Sequence, residues 1–396
     1  MFKQAHETLA KLLHPVDYDQ FFSEIVGKRL MHEATPGRSD RAELIGPDPQ
    51  ATILEAFDEF SPNLTCHSGS AKQPPPRPRR VGSQSEFLAL VHEYHQTDYT
   101  VRIPEATGLS PRLFHLCRAI ETLFENPASA NIFWSKAGAN APVHHDEVDL
   151  FIVQLTGKKR WFISAEPPTL PNIWKVAGEG APPLDKHHVV DVVPGDVIYM
   201  PRGTPHTVDS TTESIHVAIG VLPVTIRETM SAVVDYISES DRSIRSGIAK
   251  RADDFARGVG RQHAAGALRR SLEVLLARCQ SDDFINDALE RRRARMIEDL
   301  PKLKSEDAGA QVHPGTLVRH HPLAMAHVLT AGDIVDFRQP GERLLVHRGA
   351  EEALRYVADT PEFRVNQIPG AMADDVKVAL VSRLVVSGFL VPVPTA

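Results

Sequence analysis

Between residues 130 and 223 the chain alternates short apolar runs with turns rich in Gly, Pro and polar residues. "ANIFWSKAG", "VDLFIVQLTG", "KKRWFISA", "HHVVDVVPGDVIYMPRG", "HTVDST" and "SIHVAIGVLP" are all β-rich, and no helical periodicity separates them. That spacing predicts an antiparallel sandwich or barrel rather than a parallel sheet.

The flanks have a different texture. Residues 1 to about 60 predict mainly helix, and "LHPVDYDQFFSEIVGKRLMHE" carries apolar residues at helical spacing behind an Asp N-cap. Residues 69–83, "GSAKQPPPRPRRVGS", predict an irregular linker. "YTVRI" predicts a strand, and "SPRLFHLCRAIETLF" a helix with Ser110 as N-cap and Pro111 at its first position. Beyond Pro223, "TIRETMSAVVDYISESDRSIRSGIAKRADDFARG" and "GALRRSLEVLLARCQSDDFINDALERRRARMIEDL" are helical with nearly balanced charge, and are expected to form a dimer interface. From residue 303, "TLVRH", "GDIVDFR" and "ERLLVHRG" predict strands. The helix "AEEALRYVADTP", a short strand in "FRVNQIPG", a helix in "MADDVKVALVSRLVV" and a closing apolar strand then follow the order of a winged-helix-like module.

Bulk composition narrows the function. At 396 residues the chain has room for two or three domains, and with 42% hydrophobic and 24% charged residues it has the balance of an ordinary soluble protein. No segment approaches the roughly 20 apolar residues of a membrane span, and the amphipathic, acid-containing start does not read as a secretory signal, so a cytoplasmic location is expected. Cys66, Cys117 and Cys279 are widely spaced, which leaves nitrogen and oxygen as the donors for any metal. A net charge of −7 disfavours binding to a phosphate backbone. The helix opening "MADDV" presents acids where a DNA reader needs bases, so direct DNA binding is not expected.

The chemistry concentrates in "APVHHDEVDLFIVQLTGKKRW". His144 and Asp146 are one residue apart, so on an extended segment they share a face while His145 and Glu147 point away. Asp149 suits a structural hydrogen bond at the start of the strand. A third ligand should come from a distant strand, and His206 in "PGDVIYMPRGTPHTV" is placed for it, with a turn at Pro194-Gly195, a strand over "DVIYM" and a second turn through "PRGTP". Two imidazoles and one carboxylate leave about half of an octahedral shell open, the arrangement that suits non-haem iron(II). His187 and His188 have no acid at matching spacing and are expected at the surface.

"VHHDEVDLFIVQLTGKKRWFI", followed by "PGDVIYMPRGTPHTV" and "SIHVAIG", resembles the JmjC-type 2-oxoglutarate oxygenases, most of all their ribosomal-oxygenase branch of protein hydroxylases. The resemblance implies a mainly β core, a cupin-like double-stranded β-helix of the JmjC type. Around it would lie N-terminal helices, a helical dimerisation domain and a C-terminal winged-helix-like domain. The expected divisions are 1–84 for the N-terminal helices and loop, 85–223 for the barrel, 224–302 for dimerisation and 303–396 for the winged-helix-like end.

By the same resemblance His144, Asp146 and His206 would hold Fe(II), and Lys159 would pair with the distal carboxylate of 2-oxoglutarate. Lys158 and Arg160 are left to the surface. Asn131 would line the cofactor pocket, and Phe133, Ala218 and Gly220 the substrate pocket. Relatives that act on histidyl residues carry Tyr, Thr and Ser at those last three places, whereas a glycine at 220 is similar to the bacterial arginine-hydroxylating form. His216 also follows the family pattern and is expected to pack inside the barrel.

The implied activity consumes dioxygen and 2-oxoglutarate, releases succinate and CO2, and hydroxylates an arginine or histidine side chain of a protein or peptide, with ribosomal proteins as candidates. The implied assembly is a homodimer. Two other functions use the same features: hydroxylation of a small molecule or natural-product peptide, and a winged-helix regulator whose barrel senses a ligand.

Overall fold

A computed structural model describes residues 2–34, 39–68, 71–171, 183–247, 259–303, 305 and 309–394. The chain divides into two compact units, Phe2–Pro223 and Val224–Ala396. The first holds the strands β1 (Met31–Glu33), β2 (Thr65–His67), β3 (Thr100–Ile103), β4 (Ala128–Ser135), β5 (Asp149–Thr156), β6 (Lys159–Ser164), β7 (His187–Val192), β8 (Val197–Met200), β9 (His206–Ser210) and β10 (Ser214–Val221). They form two sheets, a larger one in the order β1-β8-β5-β10-β4-β3-β2 and a smaller one in the order β7-β6-β9. Every neighbouring pair in both is antiparallel. The core is thus the antiparallel, cupin-like β-barrel that the resemblance implies.

Strand alternation sorts the larger sheet into two apolar layers. Phe151, Val153 and Leu155 of β5, Val217, Ile219 and Val221 of β10, and Ala130, Ile132 and Trp134 of β4 join the cluster that holds Leu9, Phe21, Phe87, Leu113 and Ile120 from the helical segments. The opposite set points between the sheets. There Ile152 and Ala218 meet Trp161, Ile163, Val190, Val192, Ile198 and Met200. Strands buried on both faces read as continuous apolar runs, and each fully buried Val, Leu, Ile or Phe contributes roughly 1.5–3 kcal/mol.

Helix Pro111–Phe124 begins as its sequence dictates. Ser110 Oγ accepts from the amide of Leu113, and Pro111 occupies the first turn, where its missing N–H costs nothing. Helix Gln84–Gln96 starts the same way at Ser83, which accepts from the amide of Glu86. Residues 71–83 form no helix or strand.

One helical expectation is corrected. In "LHPVDYDQFFSEIVGKRLMHE", Asp17 caps only the short helix Tyr18–Gln20, which continues as a π-turn over Phe21–Ile25. Gly27 then takes φ +67° and donates its amide to Tyr199 Oη at 2.9 Å. The chain turns there, and Met31–Glu33 pairs with β8 as an edge strand, burying Met31.

The second unit opens with helix Ile226–Ser240 behind a full capping box, Thr225 with Glu228. Helices Val259–Arg278 and Asp282–Asp299 follow, and residues 248–258 of the predicted helical block lie outside the described residues. The remaining strands are β11 (Leu317–His320), β12 (His327–Ala331), β13 (Ile334–Gln339), β14 (Glu342–His347), β15 (Glu362–Arg364) and β16 (Leu390–Pro392). They form two three-stranded sheets, β15-β11-β16 and β12-β13-β14, with helices Glu351–Asp359 and Asp374–Val386. The predicted strands, helix, short strand, helix and closing strand are all present; β12 was not predicted. None of its residues is fully buried, so it carries no strong apolar signal.

Candidate metal centre

His144 and His206 are fastened by backbone. The amide of His144 donates to the carbonyl of His206 at 3.0 Å and the amide of His206 to the carbonyl of His144 at 2.8 Å, an isolated antiparallel bridge just before β5 and at the start of β9. Their rings stand 4.3 Å apart between centroids. Asp146 lies beyond that bridge in irregular chain, so strand alternation alone does not place it. It is tied instead by its carbonyl, which accepts from Gly203 N–H at 2.8 Å in the "PRGTP" turn. Gly203 has φ +75°, and a Cβ there would come within 2.4 Å of Pro171 Cδ, so the turn admits only glycine. Asp146 Oδ2 reaches to 3.5 Å from His206 Nε2. One donor atom from each of the three residues lies within 4.8 Å of the others.

Two carbonyls set the imidazole tautomers. His144 Nδ1 is 2.8 Å from Pro142 O and His206 Nδ1 is 2.9 Å from Thr204 O. A carbonyl only accepts, so each Nδ1 bears the proton and each Nε2 keeps its lone pair for a metal. Burial, followed by the neighbouring His144, pushes His206 down to about 4, which keeps it neutral at physiological pH. Two neutral nitrogens and one carboxylate oxygen form a donor set for a borderline divalent cation.

The triad opens on a cavity of about 580 Å³ lined from both sheets. Lys159 is 2% exposed and donates from Nζ to Ser135 Oγ at 2.8 Å. Ser135 in turn shares a hydrogen bond with Thr100 Oγ1 at 3.0 Å. Burial alone lowers the Lys159 pKa to about 7. Trp161 shares the inward face of β6 with Lys159, as alternation requires. Lys158 and Arg160 face outward, and Arg160 pairs with Asp191 at 2.7 Å.

Phe133 stacks on His216 with centroids 4.9 Å apart and planes 13° from parallel. Burial, with Lys159 nearby, keeps His216 well below the usual imidazole range. Asn131, Ala218 and Gly220 line the same cavity. A Cβ at Gly220 would meet Val148 Cγ2 at 2.9 Å, so the glycine widens this wall only slightly.

Other histidines and acids stand outside. His187 and His188 are exposed, and His145 and Glu147 do not line the cavity. Asp149 is fully buried as the first residue of β5, where it accepts from Tyr199 Oη and from the amide of Arg202 at 3.1 Å. The lining residues not foreseen include His67, whose ring is 5.1 Å from that of His144, Ser135, and Arg102, which donates to Asn131 Oδ1 at 2.9 Å. The signal for Arg102 was present, since it interrupts the apolar "YTVRI" strand on the face opposite Val101 and Ile103.

Residues 104–229 match the model of the JmjC domain. Ribosomal oxygenase 2 of Bos taurus is 28% identical over 239 residues, covering 58% of this chain and 50% of the relative. The protein named bifunctional lysine-specific demethylase and histidyl-hydroxylase NO66 of Branchiostoma floridae is 28% identical over 224 residues, covering 55% of this chain and 33% of the relative. The chain spans half or less of the length of these curated relatives. Among solved structures, YcfD, a ribosomal oxygenase from Escherichia coli in complex with cobalt and succinic acid, aligns with a TM-score of 0.56 at 17% identity, covering 96% of this chain and 99% of that one. The same protein with cobalt and 2-oxoglutarate aligns at 0.54 and 16% identity over 96% and 99%. The chain thus contains a segment that matches the JmjC domain, and the proteins it is similar to in sequence and in fold include ones named as ribosomal oxygenases.

Proposed function

We propose that the protein is an Fe(II)- and 2-oxoglutarate-dependent dioxygenase that hydroxylates an arginine or histidine side chain of a protein substrate, with ribosomal proteins as the candidate class. The observation that carries this is the donor set: two imidazoles, each with its Nδ1 proton held by a carbonyl, and one carboxylate, all opening on one cavity. When bound, Fe(II) and 2-oxoglutarate supply the oxidising chemistry, coupling decarboxylation to succinate and CO2 with hydroxylation of a substrate carbon by dioxygen.

The chain's own residues position and shield. His144, Asp146 and His206 would hold the metal. Lys159, buried with no carboxylate in hydrogen-bonding reach among the described residues, supplies the cation for the far carboxylate of the cosubstrate, and Ser135 fixes its direction. Ile152, Trp161 and Ala218 exclude water along the span between. Phe133, Ala218 and Gly220 offer the substrate a wall without hydroxyl groups, and Asn131 buttresses Arg102.

A homodimer through the helical block belongs to the same proposal. Ile226, Met230 and Val234 are 79%, 60% and 41% exposed on one stripe of their helix, and Leu268, Leu272 and Leu276 repeat that spacing on the next. No described helix is long and apolar enough to cross a membrane, and the three free thiols fit the reducing cytoplasm. The helix Asp374–Val386 begins with Asp374 and Asp375, which supports an enzyme over a DNA-reading regulator. Mass spectrometry of ribosomal proteins from source cells with and without the protein tests the activity: a +16 Da shift confined to the cells that contain it is expected, and its absence from every protein would refute it.

A further inference from the structure

The cavity carries one more cation than the chemistry just described uses. Its lining residues include two basic side chains, Lys159 and Arg102, and a single carboxylate, Asp146. Lys159 sits at the closed end beside Ser135, where β4 and β10 pair Ser135 with Ser214. Arg102 lies further along the cavity, on β3, paired across to Phe133 of β4. Its one side-chain partner is the neutral oxygen of Asn131, at 2.9 Å, and it makes no ion pair among the described residues. It is only partly buried and lines the cavity.

A guanidinium that lines a cavity with a neutral amide as its side-chain partner and no carboxylate beside it can donate to a planar anion. The charge balance points the same way. A divalent cation on the triad carries +2 against −1 from Asp146, and a dicarboxylate cosubstrate carries −2 against +1 from Lys159. These cancel, leaving the charge of Arg102 uncompensated in a wall that is otherwise largely apolar.

We infer that Arg102, held by Asn131, is the anchor for a carboxylate on the substrate segment, so that the protein selects a target residue flanked by Asp or Glu. This rests on the oxygenase function proposed above and adds to it the chemical class of the substrate, an acidic peptide segment. The flanking carboxylate makes a bidentate pair with Arg102 while the target side chain passes between Phe133, Ala218 and Gly220. A lysine at the same flanking place meets like charge.

The test uses the full chain loaded with Mn(II) and 2-oxoglutarate. Four peptides of one neutral host sequence are compared, with a central histidine or a central arginine and flanked by Glu or by Lys. Binding is read from paramagnetic broadening of the peptide resonances by the Mn(II) centre, and 2-oxoglutarate affinity by calorimetry. The Glu-flanked peptides are expected to bind at least about tenfold more tightly than the Lys-flanked ones with either central residue, in line with a charge-assisted pair. That preference is expected to vanish in Arg102→Gln while the affinity for 2-oxoglutarate stays unchanged. Equal binding of the four peptides by the wild type, including binding of none, overturns the inference, as does a preference that survives Arg102→Gln or a loss of 2-oxoglutarate affinity in that variant. A wild-type protein that takes up neither Mn(II) nor 2-oxoglutarate overturns the oxygenase function itself, a separate result.

Discussion

Lys159 Nζ donates to Ser135 Oγ at 2.8 Å, joining the smaller sheet to the larger across the closed end of the cavity. A primary ammonium is costly to bury without an anion, and a single hydroxyl does not offset that cost. A carboxylate arriving with a ligand, as the proposed function requires, would offset that cost.

Replacing Lys159 with Ala should weaken 2-oxoglutarate binding by about 10- to 100-fold, the range of a buried charge-assisted contact, and leave Mn(II) binding alone. Calorimetry of the metal-loaded protein reads both quantities. An unchanged affinity for 2-oxoglutarate removes Lys159 from the site.

The same residue gives a pH dependence with a definite sign. Below about pH 7 Lys159 is protonated in the folded protein, and above it the buried amine is neutral. Binding a carboxylate above pH 7 must then take up a proton, so affinity for 2-oxoglutarate should fall as pH rises through 7 and be flat below it. Stability runs oppositely. Between about pH 7 and the ordinary lysine value the unfolded chain binds the extra proton, so unfolding free energy of the ligand-free protein gains a rising contribution with pH. Lys159→Met should abolish both slopes, as measured by calorimetry and urea unfolding at several pH values.

Much of this was legible in the sequence. The HxD pair and the PGD and PRGTP turns pointed to the three residues that the structure brings together, and strand alternation put Lys159 and Trp161 on one face of β6. What was not legible came from contacts between segments far apart in the chain. Asp146 is placed by the Gly203 amide, which no local pattern announces. The strand at Met31–Glu33 was hidden in a helical periodicity that Gly27 interrupts. Helix Gln84–Gln96 could have been read from its own S-x-x-E start. Arg102 and Ser135 needed the register of β3 with β4 before they could be assigned to a cavity wall.

Asp149 and Tyr199 test how the triad is supported. Tyr199 Oη donates to Asp149 and accepts from Gly27, and Asp149 also takes the amide of Arg202, which leads into the turn before His206. Tyr199→Phe leaves a buried carboxylate oxygen and an amide short of a partner, and should cost about 1–3 kcal/mol. Urea unfolding should show a lower midpoint with an unchanged slope; a midpoint equal to that of the wild type would deny the network a structural role.

The central claim is that His144, Asp146 and His206 hold Fe(II) in a form that accepts a 2-oxo acid. Anaerobic titration of the full chain with Fe(II) and 2-oxoglutarate measures it directly. The account predicts a visible charge-transfer absorption that saturates at one metal per chain, needs both components, and is lost in Asp146→Ala and His206→Ala. An absorption of full strength in Asp146→Ala, or none in the wild type with both components bound, would contradict it.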